Sequence, residues 1–174
     1  MSGHAVPAPT RGLHHVGFTV PDVEEAIRFF EAMFGCVKIL NTGRFDVDDD
    51  FMANNLGAKP TSRLEDLVFL RCGDSANIEL FKYSGDDEEG GFRRPSQVGS
   101  FHLAFQVDDA NAAGERLRAI GVQVLDGPSY IDEGQFDGLT WGYVIAPWGQ
   151  YLELFSYDTL GYEVEAETKM WTPA

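Results

Sequence analysis

The chain has 174 residues, enough for one ordinary domain or two small fused modules. Apolar residues make up 44% and charged residues 24%, and 28 acidic against 13 basic side chains give a net charge of -15. Such a surface repels nucleic-acid backbones and acidic membranes, and no apolar run reaches the length of a membrane span. Residues 1 to 11 lack the apolar core of a signal peptide, so the expected compartment is the cytoplasm.

Residues 13 to 20 alternate, with Val16, Phe18 and Val20 on one strand face and His15, Gly17 and Thr19 on the other. Pro21-Asp22 stops that strand, and Asp22 is a suitable helix cap. The helix runs to about Phe34, with Val23, Ala26, Ile27, Phe30 and Phe34 on one face and Gly35 ending it. A strand is expected over 36 to 45. An acidic insert follows over 46 to 62, with a short helix near Phe51 to Leu56, and then strands over 64 to 72 and 76 to 83. Cys36 and Cys72 form no CxxC motif and no zinc-like cluster; in a cytoplasmic chain they are expected to be free thiols used as small apolar residues. The acidic runs at 46 to 50 and 86 to 89 lack the ligand spacing of a calcium loop and read as solvated loops.

Residues 85 to 98 hold Gly, Asp, Glu, Arg and Pro with little apolar content and read as a linker. The β-α-β-β-β pattern then restarts. A strand at 100 to 107 precedes Asp108-Asp109 as cap, and a helix follows to Ile120 with Ala110, Ala113, Leu117 and Ile120 inward. Strands are expected near 122 to 125, 128 to 133, 139 to 146 and 150 to 157, the pairing of the middle ones left open. The resulting organisation is a tail at 1–11, a first module at 12–84, the linker at 85–98, a second module at 99–158 and a polar tail at 159–174. In that tail Tyr162, Met170 and Trp171 are candidates for packing on a sheet or a partner.

The two halves repeat in detail. His15-Val16-Gly17-Phe18-Thr19-Val20 is echoed by His102-Leu103-Ala104-Phe105-Gln106-Val107, and Ile78-Glu79-Leu80-Phe81 by Leu152-Glu153-Leu154-Phe155. Strand parity puts His15 and His102 on the faces opposite the apolar residues, and separates His15 from His14. Glu79 and Glu153 sit in apolar strands, where a carboxylate is costly to bury without a partner. One such His would read as an ordinary polar residue on a wet face. A repeated His with a repeated Glu instead suggests the ligand set His15, Glu79, His102 and Glu153 for one divalent metal per site: Ni, Fe, Mn, Co or Zn.

These motifs, with Ala146-Pro147-Trp148-Gly149-Gln150-Tyr151 before the last Glu, resemble the vicinal oxygen chelate superfamily over roughly residues 12 to 158. That superfamily includes glyoxalase I, bleomycin resistance proteins, methylmalonyl-CoA epimerase and extradiol dioxygenases. The resemblance implies an α+β fold of two tandem βαβββ modules whose curved mixed sheets surround a metal-binding cup. It also implies a homodimer acting on a small-molecule substrate. The His-Glu-His-Glu set is similar to the isomerase and lyase branch, in which two adjacent substrate oxygens are chelated and an enediolate-like intermediate is stabilised. A carboxylate moves the proton there, and Glu153, ahead of Glu79, is the catalytic candidate. An Fe(II) dioxygenase is the runner-up. Tyr143, Pro147, Gly149 and Glu153 resemble the tail of its signature, but Asp137 to Trp141 lack the His of that signature. A ligand-binding resistance protein is the third reading. Arg11, Arg44, Arg63, Arg93 and Arg94 are the cations available for an anionic substrate. The insert at 46 to 62 and the loop at 127 to 139, with Tyr130 and Phe136, are candidate rims of the cup.

Overall fold

The computed structural model of the chain describes residues 12–74, 76–86, 91–161, 171 and 173. Its first strand, β1 (His15–Thr19), is followed by Pro21, whose missing N–H suits a strand end. Asp22 accepts a hydrogen bond from the Glu25 N–H at 2.8 Å and starts α1 (Val23–Phe34), which Gly35 closes with a left-handed φ of 63°. β2 (Val37–Asn41), α2 (Asp49–Leu56), β3 (Arg63–Cys72) and β4 (Ala76–Ser84) complete the first unit. Its sheet has the order β1-β4-β3-β2, with β1 and β4 parallel and the other neighbours antiparallel.

The same order recurs in β5 (Leu103–Gln106), α3 (Ala110–Ala119), β6 (Gln123–Val124), β7 (Ser129–Tyr130), β8 (Thr140–Ile145) and β9 (Tyr151–Ser156). Asp109 caps α3 by accepting the Ala112 N–H at 3.0 Å. The second sheet runs β5-β9-β8-β6, and β5 lies parallel to β9. The open pairing is resolved by β8, which takes both β6 and β7 antiparallel, at Val124↔Val144 and Tyr130↔Thr140. The fold is thus α+β, with two mixed sheets. Among the described residues no helix is long and apolar enough to cross a membrane.

One core joins the two units. Phe18, Ile78, Leu80, Val68 and Leu70 from the first sheet meet the buried face of α1, and Val144, Leu152 and Leu154 from the second meet Ala113 and Leu117 of α3. Helix α1 contributes to both. Phe30 faces its own sheet through Phe18, while Phe34 stacks on Phe105 with ring centres 3.8 Å apart and Phe29 meets Trp148 edge-on at 5.4 Å. Burying Phe29, which the one-face reading of α1 omits, follows from this second contact.

Several expectations need correction. Cys36 and Cys72 are joined in a disulfide: the antiparallel register Val37↔Arg71 sets the preceding and following residues opposite each other, with Cα atoms 4.2 Å apart. Ile120 is 61% exposed, because it is the residue that ends α3 and has left the helical φ/ψ that would turn it inward. His102 lies just before β5, not within it. The strand expected over 128 to 133 is only two residues long, and a 3-10 turn at Gly134–Phe136 follows it. Leu160, assigned to a polar tail, is fully buried, whereas Trp171 is 65% exposed. Tyr162 and Met170 lie outside the described residues.

Candidate metal centre and adjoining cavity

The pleat of β4 sets the first pair. Ile78 and Leu80 point into the core, so Glu79 points to the other face, where its register partner on β1 is Gly17. His15, two residues before Gly17, shares that face, and its Nε2 lies 3.3 Å from Glu79 Oε2. Gly17 leaves room for this approach: a Cβ there would stand 3.1 Å from Glu79 Oε2 and 3.0 Å from the Phe81 ring, a tight fit that the neighbours would have to yield to. The second pair repeats the construction. Leu152 and Leu154 are buried, Glu153 stands opposite Ala104, and His102 Nε2 lies 3.0 Å from Glu153 Oε2.

The chain brings His15 to Glu79 and His102 to Glu153, but it does not bring the two pairs together. Among the described residues no three His, Cys, Asp or Glu side chains converge on a point that could hold an ion. Each pair alone fits half of a metal site. Two ligand atoms about 2.1 Å from a metal and at right angles to each other are about 3.0 Å apart, close to both observed separations. Imidazole and carboxylate suit the borderline divalent cations.

The surroundings differ between the pairs. Burial pushes the Glu153 carboxyl above its ordinary value, an effect His102 partly offsets. Tyr143 stands opposite Glu153 in the β8–β9 register, and its ring meets His102 edge-on at 5.4 Å. Burial, with a smaller contribution from Glu153, raises the Tyr143 phenol. Opposite Glu79 stands Phe69 instead, its ring 5.4 Å from that of His15. His14, which parity separates from the repeat, touches His15 through the two Nδ1 atoms at 2.9 Å, so one ring carries its proton there.

A cavity of about 840 Å³ begins next to the first pair. Thr19 from β1, Phe81 and Tyr83 from β4, the chain just after α2, Phe92 and Trp148 enclose it. The insert at 46 to 62 therefore does reach a cavity wall, through Leu56, Gly57, Ala58 and Ser62. Burial, then Glu79, raises the Tyr83 phenol. The rim candidates Tyr130 and Phe136 are more than half exposed and do not line this cavity. Arg63 is 2.8 Å from Asp49 and Arg44 is 3.8 Å from Glu65, so the structure engages these cations elsewhere; Arg11 lies outside the described residues.

A duplicated β-α-β-β-β unit with mixed sheets, each presenting one His and one Glu, is the architecture of the vicinal oxygen chelate class. The chain belongs to the Glyoxalase/Bleomycin resistance protein/Dioxygenase superfamily, whose model matches residues 14–139. It is 35% identical over 175 residues, or 99% of this chain and 94% of the relative, to a 2-epi-5-epi-valiolone epimerase of Actinomyces sp. Its fold is shared by a glyoxalase family protein of Bacillus cereus (TM-score 0.69, 16% identity, 91% of this chain and 99% of that one). It is also shared by the fosfomycin resistance protein FosX of Listeria monocytogenes complexed with Mn(II) and sulfate (TM-score 0.54, 17% identity, 90% of this chain and 100% of that one).

Proposed function

We propose that the protein is a divalent-metal-dependent epimerase or isomerase acting on a small substrate that carries two adjacent oxygens. The observation behind this reading is the recurrence of one His–Glu contact in two sheets, at 3.3 and 3.0 Å and at equivalent register positions. The epimerase relative supports the same reaction class.

His15, Glu79, His102 and Glu153 are the residues assigned to hold the metal. When bound, a divalent cation supplies Lewis acidity that makes a C–H beside a carbonyl easier to ionise. Epimerisation needs a base that takes that proton and a route for its return to the other face. Glu153 is assigned to the transfer, as the carboxylate that stands beside His102 and opposite Tyr143. Tyr143, kept protonated beside it, can donate a hydrogen bond to a substrate oxygen.

Because one chain does not close the set, the complete site is assigned to a homodimer, with His15 and Glu79 of one copy facing His102 and Glu153 of the other. The test is metal content together with deuterium wash-in at the epimerised carbon, with 2-epi-5-epi-valiolone as the first probe. Metal-dependent exchange that is lost in His15→Ala, Glu79→Ala, His102→Ala and Glu153→Ala is the expected result. Unchanged metal stoichiometry in all four variants overturns the assignment, and oxygen uptake with a catechol would favour the dioxygenase reading.

A further inference from the structure

We propose that His14 is a positioning residue for the metal: its Nδ1 accepts the Nδ1–H of His15, which leaves the His15 Nε2 lone pair free for the ion beside Glu79. The proposal rests on the metal-dependent reading above and adds to the site a residue that only one half of the repeat possesses.

The ligating atom gives the first argument. His15 Nε2 is the ring nitrogen that lies 3.3 Å from Glu79 Oε2, so it is the atom a shared ion would take. An imidazole ligates as a neutral ring through one lone pair, and its proton then sits on the other nitrogen. That nitrogen, Nδ1, lies 2.9 Å from His14 Nδ1, a separation at which one proton is held between the two rings. With an ion on Nε2, that proton belongs to His15, and His14 is the acceptor with its own proton on Nε2. Metal-ligating histidines generally give their second N–H to a fixed partner, which sets the tautomer and the ring plane. Here an imidazole takes that part.

The second argument is that His14 is itself held. It precedes β1 and is exposed, but its carbonyl accepts a hydrogen bond from Asn77 Nδ2 at 2.9 Å. Asn77 stands opposite His15 in the β1–β4 register and two residues before Glu79, on the same strand face. One strand therefore carries the carboxylate and also fixes the residue that orients the imidazole. The Phe69 ring, edge-on to His15 at 5.4 Å, restrains the imidazole further.

The repeat supplies the third argument. Aligning the halves on their His and Glu sets Phe101 at the place of His14 and Tyr151 at the place of Asn77. A phenylalanine ring has no nitrogen to accept a proton, and Phe101 packs on Phe18 and Phe92 instead. The support given to His15 is thus missing from the equivalent positions beside His102.

The experiment is titration of the full chain with Mn(II), read by the paramagnetic resonance of the free ion, for wild type, His14→Phe and His14→Asn. Each variant is checked for an unchanged melting curve. Phenylalanine keeps a ring and removes the acceptor, whereas asparagine keeps an acceptor oxygen near the place of Nδ1. His14→Phe is expected to weaken Mn(II) binding about 10- to 100-fold, and His14→Asn to stay within about threefold of wild type. Asn77→Ala, which frees only the His14 backbone, is expected to weaken it about threefold. In the Zn(II)-loaded chain, NMR of isotope-labelled histidine should show the His15 proton on Nδ1, protected from exchange in wild type and His14→Asn but not in His14→Phe. Wild-type affinity in His14→Phe, a His14→Asn chain as weak as His14→Phe, or a His15 proton on Nε2 overturns the proposal. No substrate enters these measurements, so the two readings fail separately. If the His14 dependence holds and metal-dependent proton exchange is absent, the epimerase reading alone fails. If exchange occurs in a chain whose Mn(II) affinity ignores His14, the positioning role alone is removed.

Discussion

In the first sheet Glu79 lies between Gly17 and Phe69; in the second Glu153 lies between Ala104 and Tyr143. The His–Glu contact is the same to within 0.3 Å, being 3.3 and 3.0 Å, yet nearly everything around it has changed. The first pair has a second imidazole at its back, a close backbone approach and a large cavity along the strand, and its sheet is held by the Cys36–Cys72 disulfide. The second pair has a phenol beside it, and burial raises its carboxyl. What was kept after duplication is the position of two donor atoms on a strand face. What diverged is the set of groups that would read a substrate or handle a proton, so the two halves of a completed site would do different work.

The largest effect tests the part that was kept. His102→Ala and Glu79→Ala are each expected to lower metal-dependent proton exchange about a thousandfold, the scale on which loss of a directly acting electrostatic group is felt. A loss from one sheet only would break the equivalence of the pairs. A His15→Ala/Glu79→Ala chain mixed with a His102→Ala/Glu153→Ala chain sharpens it further. Random pairing into two-fold dimers leaves one intact site in half of them, restoring about a quarter of wild-type activity. If the cup closed within one chain, mixing would restore nothing.

The next effect concerns stability and belongs to the first sheet alone. The disulfide closes a loop with a sequence separation of 36, for which chain entropy gives about 3–4 kcal/mol. Cys36→Ser/Cys72→Ser, or reductant, should lower the denaturant midpoint accordingly, and an unchanged midpoint would show that β2 is held by its ladder alone.

Gly17 and Ala104 offer a smaller and more local comparison. Gly17→Ala puts a methyl 3.1 Å from Glu79 Oε2 and 3.0 Å from the Phe81 ring, a crowding that displacing the carboxylate would relieve. Metal affinity is expected to fall about 10- to 100-fold, as when a ligand loses its orientation. Ala104→Gly, at the equivalent place in the second sheet, should change it by less than about threefold. Equal effects at the two positions would remove the close-approach argument.

Much of this was legible in the sequence, because the signals were local. Alternation along β1 and β4 placed His15 and Glu79 on the face away from the core, and the same parity placed His102 and Glu153. Asp22 and Asp109 announced the helix starts through their capping geometry. What stayed hidden depends on register or on distant packing. The pairing of Cys36 with Cys72 needs the β2–β3 register, the burial of Phe29 needs Trp148 from the other unit, and the cavity gathers Thr19, Tyr83, Phe92 and Trp148 from four separate segments. The failure of the two pairs to meet within one chain is a tertiary fact that strand parity does not address.

The finest test sets Tyr143 against Phe69, where a hydroxyl-bearing ring stands opposite one carboxylate and a plain ring opposite the other. If Tyr143 donates a hydrogen bond to a substrate oxygen, Tyr143→Phe should lower kcat about 3- to 10-fold with little change in metal content, the net worth of one hydrogen bond. The pH profile separates this role from packing. Burial and then the Glu153 charge both disfavour the phenolate, so Tyr143 ionises above its ordinary value of 10.0. The hydroxyl therefore stays a donor throughout the range below that value, and wild type and Tyr143→Phe should run parallel there. A ratio that shrinks on the acid side of pH 9 would contradict a constant donor. The reverse substitution, Phe69→Tyr, adds a hydroxyl on the strand opposite Glu79 and should leave kcat within about twofold, because a hydroxyl added where no hydrogen bond is formed is worth little. If Phe69→Tyr instead rescues Tyr143→Phe, the two faces are interchangeable, and the division of labour between the sheets is wrong.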